Sequence, residues 1–147
     1  MTIVIGCDHA GFELKNALAE MLRADGHAVQ DLTPRLDPQD DYPDSAAAVA
    51  RAVVAGTGER GLIVCGSGVG ASVAANKIRG ARAGLCHDTY SARQGVEHDD
   101  INILCLGARV VGDAVARDLA RAFLLARFSG EARHARRLRK VQDLEKE

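Results

Sequence analysis

The chain has 147 residues and a formal net charge of −1, with 47% hydrophobic and 27% charged residues. A chain of this length can bury roughly two thirds of its unfolded surface in one core, and the composition excludes a coiled coil or a disordered chain. The near-neutral charge excludes a generally basic nucleic-acid-binding surface, and no apolar run approaches the roughly 20 residues that cross a bilayer. We therefore expect one globular domain over residues 1–147 that binds neither nucleic acid nor membrane.

The predicted elements alternate between strands and helices along the whole chain. Continuous apolar runs, as in residues 2–7 and 61–65, are typical of buried parallel strands. The predicted strands are residues 2–7, 27–32, 61–65, 81–86 and 103–106. The predicted helices are a segment ending at Gly26, residues 45–55, a segment ending near 79–80, and residues 91–97, 113–128 and 132–146. This alternation predicts a single three-layer α/β/α, Rossmann-like domain with a five-stranded, mainly parallel sheet and a C-terminal helix.

The four cysteines lack the spacing of a disulfide framework. Cys7, Cys65, Cys86 and Cys105 form no CxxC pair, and Met1 leads directly into an apolar run instead of the charged start of a signal peptide. These features favour reduced thiols and a cytoplasmic location. A cysteine on a buried strand is usually a small core residue, so we place Cys7, Cys86 and Cys105 in the core.

Polar and glycine-rich segments follow the first and third predicted strands. Asp8 and His9 come directly after residues 2–7, and Cys65 ends the third strand before residues 66–70. In open parallel sheets, ligands bind beyond the carboxyl ends of the strands, where the strand order reverses. We therefore expect these two segments to form one pocket.

The segment 66–70, Gly-Ser-Gly-Val-Gly, has the properties of an anion-binding loop. Glycines allow the backbone to turn tightly and to approach a ligand, and the helix predicted after them presents unpaired N–H groups at its positive end. Cys65 lies at the start of this turn, where the helix dipole favours a thiolate. We interpret the loop as a site that holds a negatively charged oxygen while Cys65 moves a proton beside it.

Three functions compete for this loop. A cysteine phosphatase needs an arginine six positions after its nucleophile, and that position is Ala71. A dinucleotide-binding module is compatible with the GxGxxA pattern of residues 66–71 and with Asp88 about twenty residues later, but the loop follows the third strand and no chain remains for a substrate domain. The third function is proton transfer on a phosphorylated sugar, with Cys65 as base and the loop amides as anion hole.

Histidines and arginines outside the loop offer further functional groups. The run Glu97-His98-Asp99-Asp100 lacks a spaced set of metal ligands, so we expect no metal there and one working histidine. His27 and His87 have no partner that the sequence identifies, and we interpret them as structural or solvated. Arg133 and Arg137 lie four apart on a predicted helix, a spacing that allows both to bind one phosphate.

Five separated motifs occur in order along nearly the whole chain. They are GCDHAGF at 6–12, DYP at 41–43, CGSGVG at 65–70 with AANK at 74–77, GARVVG at 107–112 and RHARR at 133–137. Together they resemble the ribose-5-phosphate isomerase B family, which includes the allose- and galactose-6-phosphate isomerases. Five motifs in register are far more specific than any one of them.

The resemblance implies an aldose–ketose isomerase that uses neither cofactor nor metal. Cys65 would move a proton between C1 and C2 of the sugar through a cis-enediolate, and Ser67 would pass a proton between O1 and O2. His98 would open the furanose ring as proton donor, and Asp8 and Tyr42 would contact sugar hydroxyls. The amides that hold the developing oxyanion would be those of Gly66, Ser67, Gly68, Val69 and Gly70.

A phosphate site and a shared pocket are also implied. His98 and the arginines would reach the Cys65 site of the neighbouring subunit, so an obligate homodimer follows, with a tetramer of two dimers as an alternative. The implied substrate is ribose 5-phosphate, with allose 6-phosphate, galactose 6-phosphate or a tetrose 4-phosphate as alternatives. The phosphate ligands would be His9, Arg109, Arg133 and Arg137.

The chain departs from the family pattern at Asp99, where asparagine is common. A carboxylate at this substrate-binding position would repel phosphate or act on the ring-opening histidine through its charge, which leaves the choice of phosphorylated sugar open. Residue 71 is alanine where another branch of the family carries a glutamate base, so the resemblance assigns the chain to the cysteine branch. Residues 130–132 also differ from the usual glycine pair.

Overall fold

The structure, a computed structural model that describes all 147 residues, contains one five-stranded sheet. Its strands are β1 (Thr2–Cys7), β2 (Ala28–Asp31), β3 (Arg60–Cys65), β4 (Ala83–Leu85) and β5 (Ile103–Gly107). Their order is β2-β1-β3-β5-β4, and every neighbouring pair is parallel. The predicted five-stranded sheet is confirmed, and it is wholly parallel.

The chain has six α-helices, of which five cover the sheet and the last packs on the fourth. They are α1 (Phe12–Ala24), α2 (Tyr42–Val54), α3 (Val69–Ala75), α4 (Thr89–Asp99), α5 (Asp113–Leu125) and α6 (Ala132–Leu144). Helices α1, α4 and α5 pack on one face of the sheet, against Ile3 and Ile5, while α2 and α3 pack on the other, against Val4 and Ile63. The predicted three layers are therefore confirmed. No helix combines the length and the apolar character needed to cross a lipid bilayer.

The strand order reverses between β1 and β3, near the middle of the sheet. β2 lies beyond β1, whereas β5 and β4 lie beyond β3. A crevice forms outside the carboxyl ends of the two strands at such a reversal. Because Cys7 is paired with Val64, Asp8 and Cys65 leave the sheet side by side at this crevice.

Several helix boundaries differ from the predicted ones, and α3 ends at Ala75 instead of near residues 79–80. α2 begins at Tyr42 instead of residue 45, because Pro43 lies in the first turn, where a missing N–H costs nothing. α3 begins at Val69, so the turn before it is residues 66–68 and Gly70 is already helical. α5 ends at Leu125 instead of residue 128, because Ala126 has an extended conformation.

Candidate active site

The segment after β1 forms the first side of the crevice. The Asp8 N–H donates to the Val64 carbonyl at 3.3 Å, and Asp8 Oδ1 accepts from the Gly11 N–H at 3.1 Å. These bonds hold a single 3₁₀ turn, His9–Gly11, against β3. A Cβ on Gly11 would collide with the Val64 carbonyl oxygen, so glycine is required for this close approach. As a result, Asp8 is buried and His9 is exposed.

Cys65 and the turn after it form the second side. The Gly68 N–H donates to Cys65 Sγ at 3.0 Å, which places the sulfur at the start of α3. Gly68 has a φ of 79°, and a Cβ there would lie 3.0 Å from the Leu106 carbonyl carbon. Glycine at this position thus permits both the left-handed turn and the contact with β5. The Cys65 side chain is 4% exposed, and no cavity of the single chain reaches it.

Several amides of this turn have no acceptor. The N–H groups of Gly66, Ser67 and Gly70 donate to no protein atom, while the Val69 N–H donates to Ser67 Oγ at 3.3 Å. Unpaired N–H groups at the start of a helix favour an anion, since both the donors and the helix dipole stabilise negative charge. The turn therefore offers the features of an oxyanion site next to Cys65 Sγ.

The other three cysteines differ from Cys65 in their surroundings. Burial raises the pKa of Cys7, Cys86 and Cys105 above the ordinary thiol value, so these side chains stay protonated. All three are buried, as predicted for core residues. Among the four, only Cys65 accepts a backbone N–H of a glycine turn.

Side chains from two other elements reach the turn. A Cβ on Gly70 would lie 2.6 Å from the Tyr42 ring, and a Cβ on Gly66 would lie 3.2 Å from Arg109 Nη1. The Arg109 N–H also donates to the Gly66 carbonyl at 3.0 Å. Tyr42, Ser67 and Arg109 are exposed. An aromatic hydroxyl, a serine hydroxyl and a guanidinium thus border the open side of the turn.

His9 places a second ionisable nitrogen group near this edge. Its Nδ1 lies 2.8 Å from Asp40 Oδ1. This hydrogen bond, supported by the charges of Asp8 and Asp40, raises the pKa of His9 above its ordinary value. The site-forming segments of β1 and β3 are therefore accompanied by the Arg109 guanidinium and by the His9 imidazole, whose pKa is raised.

His98 lies at the amino end of the strands, opposite the carboxyl end where Cys65 lies; these two ends are called the His98 edge and the Cys65 edge. Because β4 and β5 are parallel, α4 between them must run back from the carboxyl edge to the amino edge. The residue after α4, Asp100, contacts Arg82 at 2.8 Å, just before β4 begins. A helix of eleven residues is about 16 Å long, so His98 and Cys65 of one chain do not meet.

The His98 ring is held by two neighbours. It stacks on His134 of α6, with ring centroids 4.0 Å apart, and its Nδ1 lies 2.8 Å from Gln94 Nε2. His134 is buried and is bound to Ser129 at 2.6 Å, and burial lowers its pKa. These contacts leave Nε2 as the nitrogen of His98 that can act on another molecule.

The remaining predicted site residues accompany His98 rather than Cys65. Arg133 pairs with Glu131 at 3.0 Å, and Arg137, one turn later, is exposed without an ion pair. Asp99 borders a groove of about 420 Å³ beside Leu138 and Val141 of α6. In one chain the predicted site residues are thus divided between a Cys65 edge and a His98 edge.

His87 is a polar residue that sequence reasoning missed. The sequence identified no partner for it and indicated a structural or solvated role; in the structure its Nε2 accepts the Gly107 N–H at 3.0 Å, beside the backbone of Ser67. Its position directly after a predicted strand was the available signal. No group of three or more potential metal ligands converges in the structure, and in the run 97–100 the carboxylates of Glu97 and Asp100 bind arginines.

Known proteins match both the sequence and the fold. A family model described as Ribose/Galactose Isomerase matches residues 3–141. Ribose-5-phosphate isomerase B of Escherichia coli is 41% identical over 97% of this chain and 95% of its own, and D-erythrulose-4-phosphate isomerase of Pectobacterium atrosepticum is 39% identical over 88% and 86%. The solved structure of Clostridium thermocellum ribose-5-phosphate isomerase B is 45% identical, has a TM-score of 0.96, and covers 99% of this chain and 98% of that one. The chain therefore belongs to the ribose/galactose isomerase family, and the expectation of a sugar-phosphate isomerase is confirmed at the level of that family.

Proposed function

We propose that residues 1–147 act as one isomerase domain that interconverts ribose 5-phosphate and ribulose 5-phosphate. The observation that carries this proposal is the placement of Cys65 Sγ at the strand reversal, 3.0 Å from the Gly68 N–H and beside amides without acceptors. A base next to an anion site is what proton abstraction beside a carbonyl requires.

The proposed reaction begins on the open-chain aldose. The Cys65 thiolate takes the proton from C2, the C2 electron pair forms the C1–C2 double bond, and the carbonyl electrons move to O1. The amides of residues 66–70 stabilise this cis-enediolate. The exposed Ser67 hydroxyl passes a proton from O2 to O1, and Cys65 returns its proton to C1 as the C2 carbonyl forms. Neither a cofactor nor a metal takes part in these steps.

The groups around the turn have proposed roles in binding. Asp8 and Tyr42 contact sugar hydroxyls, while His9 and Arg109 bind the phosphate. The two cations suit a dianionic group, and the raised pKa of His9 supports its role. The exposure of Tyr42 and Arg109 leaves the substrate side of the site open in a single chain.

A second copy of the chain completes this site in our proposal. His98 and Cys65 lie at opposite edges of one sheet, so a homodimer is needed to bring the His98 of one subunit to the Cys65 of the other. His98 then opens the furanose ring through Nε2, and Arg133 and Arg137 add to the phosphate site. Asp99 comes with them and contacts the substrate. The apolar side chains that α6 leaves exposed, Val141 and Leu144, support a role of this helix in association.

The four unpaired cysteines support a cytoplasmic location, because reducing compartments preserve free thiols.

The erythrulose-4-phosphate isomerase relative favours a tetrose 4-phosphate as the second candidate substrate. Both candidate substrates can be tested with a panel of phosphorylated aldoses that have four, five and six carbons. Ketose formation is assayed without added metal. We expect the highest kcat/KM with ribose 5-phosphate. A higher value for a tetrose, or for allose or galactose 6-phosphate, would reassign the substrate and keep the mechanism.

Binding measurements separate the isomerase from the dinucleotide-binding alternative. We expect tight binding of a phosphorylated hydroxamate that mimics the enediolate, and no binding of NAD. Tight binding of NAD alone would replace the isomerase proposal by a dinucleotide module using the 66–71 turn.

A further inference from the structure

We propose that Asp40 is a positioning residue that fixes the His9 ring and supports its cationic form for binding the sugar phosphate. This inference rests on the proposed assignment of His9 to phosphate binding. Asp40 lies in the connection between β2 and α2, far from His9 in sequence, and none of the sequence motifs includes it.

One carboxylate oxygen holds His9 at two points. Asp40 Oδ1 accepts from the His9 backbone N–H at 2.9 Å and lies 2.8 Å from His9 Nδ1. A carboxylate only accepts hydrogen bonds, so Nδ1 carries the hydrogen. The two contacts fix both the backbone turn and the orientation of the ring, and they direct the choice of tautomer.

This tautomer makes phosphate binding depend on protonation. With the hydrogen on Nδ1, the Nε2 of a neutral ring has a lone pair and would repel a phosphate oxygen. In the imidazolium form, Nε2 becomes a charged donor. Asp40 therefore selects the neutral tautomer that cannot donate to phosphate through Nε2, and it stabilises the imidazolium, which can.

Asp40 is itself held in place. Its N–H donates to the Asp37 carbonyl at 3.3 Å, closing a turn. At the start of the same connection, the Thr33 carbonyl accepts from the buried Lys15 Nζ at 2.9 Å, and Thr33 N–H donates to Asp31. Lys15 in turn pairs with Asp31 at 2.6 Å. This partly buried ion pair anchors the start of the connection that carries Asp40.

The charges around His9 act in one direction. Asp40, from the connection before α2, and Asp8, from the end of β1, both raise the pKa of His9, while desolvation opposes them. Arg109, which follows β5, lies beside Gly66 and is not among the groups that shift this pKa. Because the carboxylates prevail, the imidazolium persists to a higher pH than for an isolated histidine, and its charge is lost as the pH rises through the raised value.

The test compares Asp40→Asn with Asp37→Asn. Both remove one carboxylate from the same connection, but Asp37 Oδ1 accepts only the Gln39 N–H. NMR titration of the His9 Cε1–H signal gives the pH midpoint at which the imidazole is half protonated. The signal is assigned by its loss in the His9→Gln variant. We expect a lower midpoint in Asp40→Asn and the parent midpoint in Asp37→Asn. Affinity for inorganic phosphate, measured in parallel from pH 5 to 9, should weaken at a lower pH in Asp40→Asn.

Kinetics with the sugar phosphate give the second readout. Above neutral pH, KM should rise in Asp40→Asn by up to about tenfold for each unit by which the midpoint falls, while kcat stays near that of the parent. In a His9→Gln background, Asp40→Asn should have no further effect on this pH profile.

Two results would overturn the inference: an unchanged His9 midpoint in Asp40→Asn, or a lowered midpoint without any change in phosphate affinity or KM. If the parent isomerised no sugar phosphate while the midpoint and the affinity for inorganic phosphate both shifted, the isomerase proposal would fail and the Asp40–His9 pair would stand.

Discussion

The Cys65 edge and the His98 edge of the sheet both carry histidine and arginine side chains that we propose act on the substrate, but the two edges are built differently. At the Cys65 edge, parallel strands end side by side, and glycines let the 3₁₀ turn and the 66–68 turn approach the neighbouring backbone. At the His98 edge, helix ends supply the residues, and a stacked ring fixes the histidine. The proposed base and the proposed anion site thus lie together in one chain, while the proposed ring-opening group lies about one helix length away. Residues that are proposed to act in one site therefore need not lie close together in one subunit.

The largest expected effect is at the Cys65 edge. Cys65→Ala should lower kcat on the order of 10³-fold or more, because it removes the base that acts in the transition state. Binding of the hydroxamate mimic, measured by calorimetry, should stay within a few-fold of the parent's. Cys86→Ala is the matched control, since this thiol is also buried but accepts no N–H of the 66–68 turn, and it should remain active. Parent-like turnover in Cys65→Ala would remove the proposed base.

A smaller and substrate-dependent effect is expected at the His98 edge. His98→Asn should reduce kcat/KM about a hundredfold with cyclic ribose 5-phosphate, because ring opening loses its proton donor. With an acyclic phosphorylated substrate, stopped-flow assays should show a much smaller loss. Equal losses with both substrates would assign His98 to a step after ring opening.

The smallest effect should be on phosphate binding by α6. Arg137→Ala should raise KM about tenfold, since a charge-assisted contact to phosphate is lost, and it can also lower kcat if the phosphate orients the reacting carbons. Arg139→Ala, on the same helix and also exposed, should leave steady-state kinetics unchanged. Similar KM values in the two variants would show that Arg137 takes no part in the phosphate site.

The Cys65 edge was largely predictable from the sequence because its residues directly follow the strands that position them. Continuous apolar runs located β1 and β3, and the residues after them had to reach the same edge of a parallel sheet. The starts of α2 and α3 were less predictable, since a proline tolerated in the first helical turn and a left-handed glycine directly before a helix are each compatible with several starting residues.

Other features depend on relations that no local pattern encodes. The strand order decides which two strands border the crevice, and the return direction of α4 decides that His98 lies at the amino edge. The contact of Asp40 with His9 joins residues 31 positions apart, and His87 meets Gly107 twenty positions away. Such pairs become visible only once the sheet is assembled.

Mixing of inactive subunits tests the shared site most directly. Cys65→Ala and His98→Asn chains are refolded together in equal amounts. Half of the resulting dimers are mixed, and each mixed dimer has one intact site out of two. The mixture should therefore recover about a quarter of the parent activity with cyclic ribose 5-phosphate. Cys65→Ala mixed with Ser67→Ala should recover nothing beyond the two variants alone, since both residues belong to the same edge of one chain. We expect recovery only in the first mixture. Absence of recovery in both mixtures would contradict a site shared between subunits.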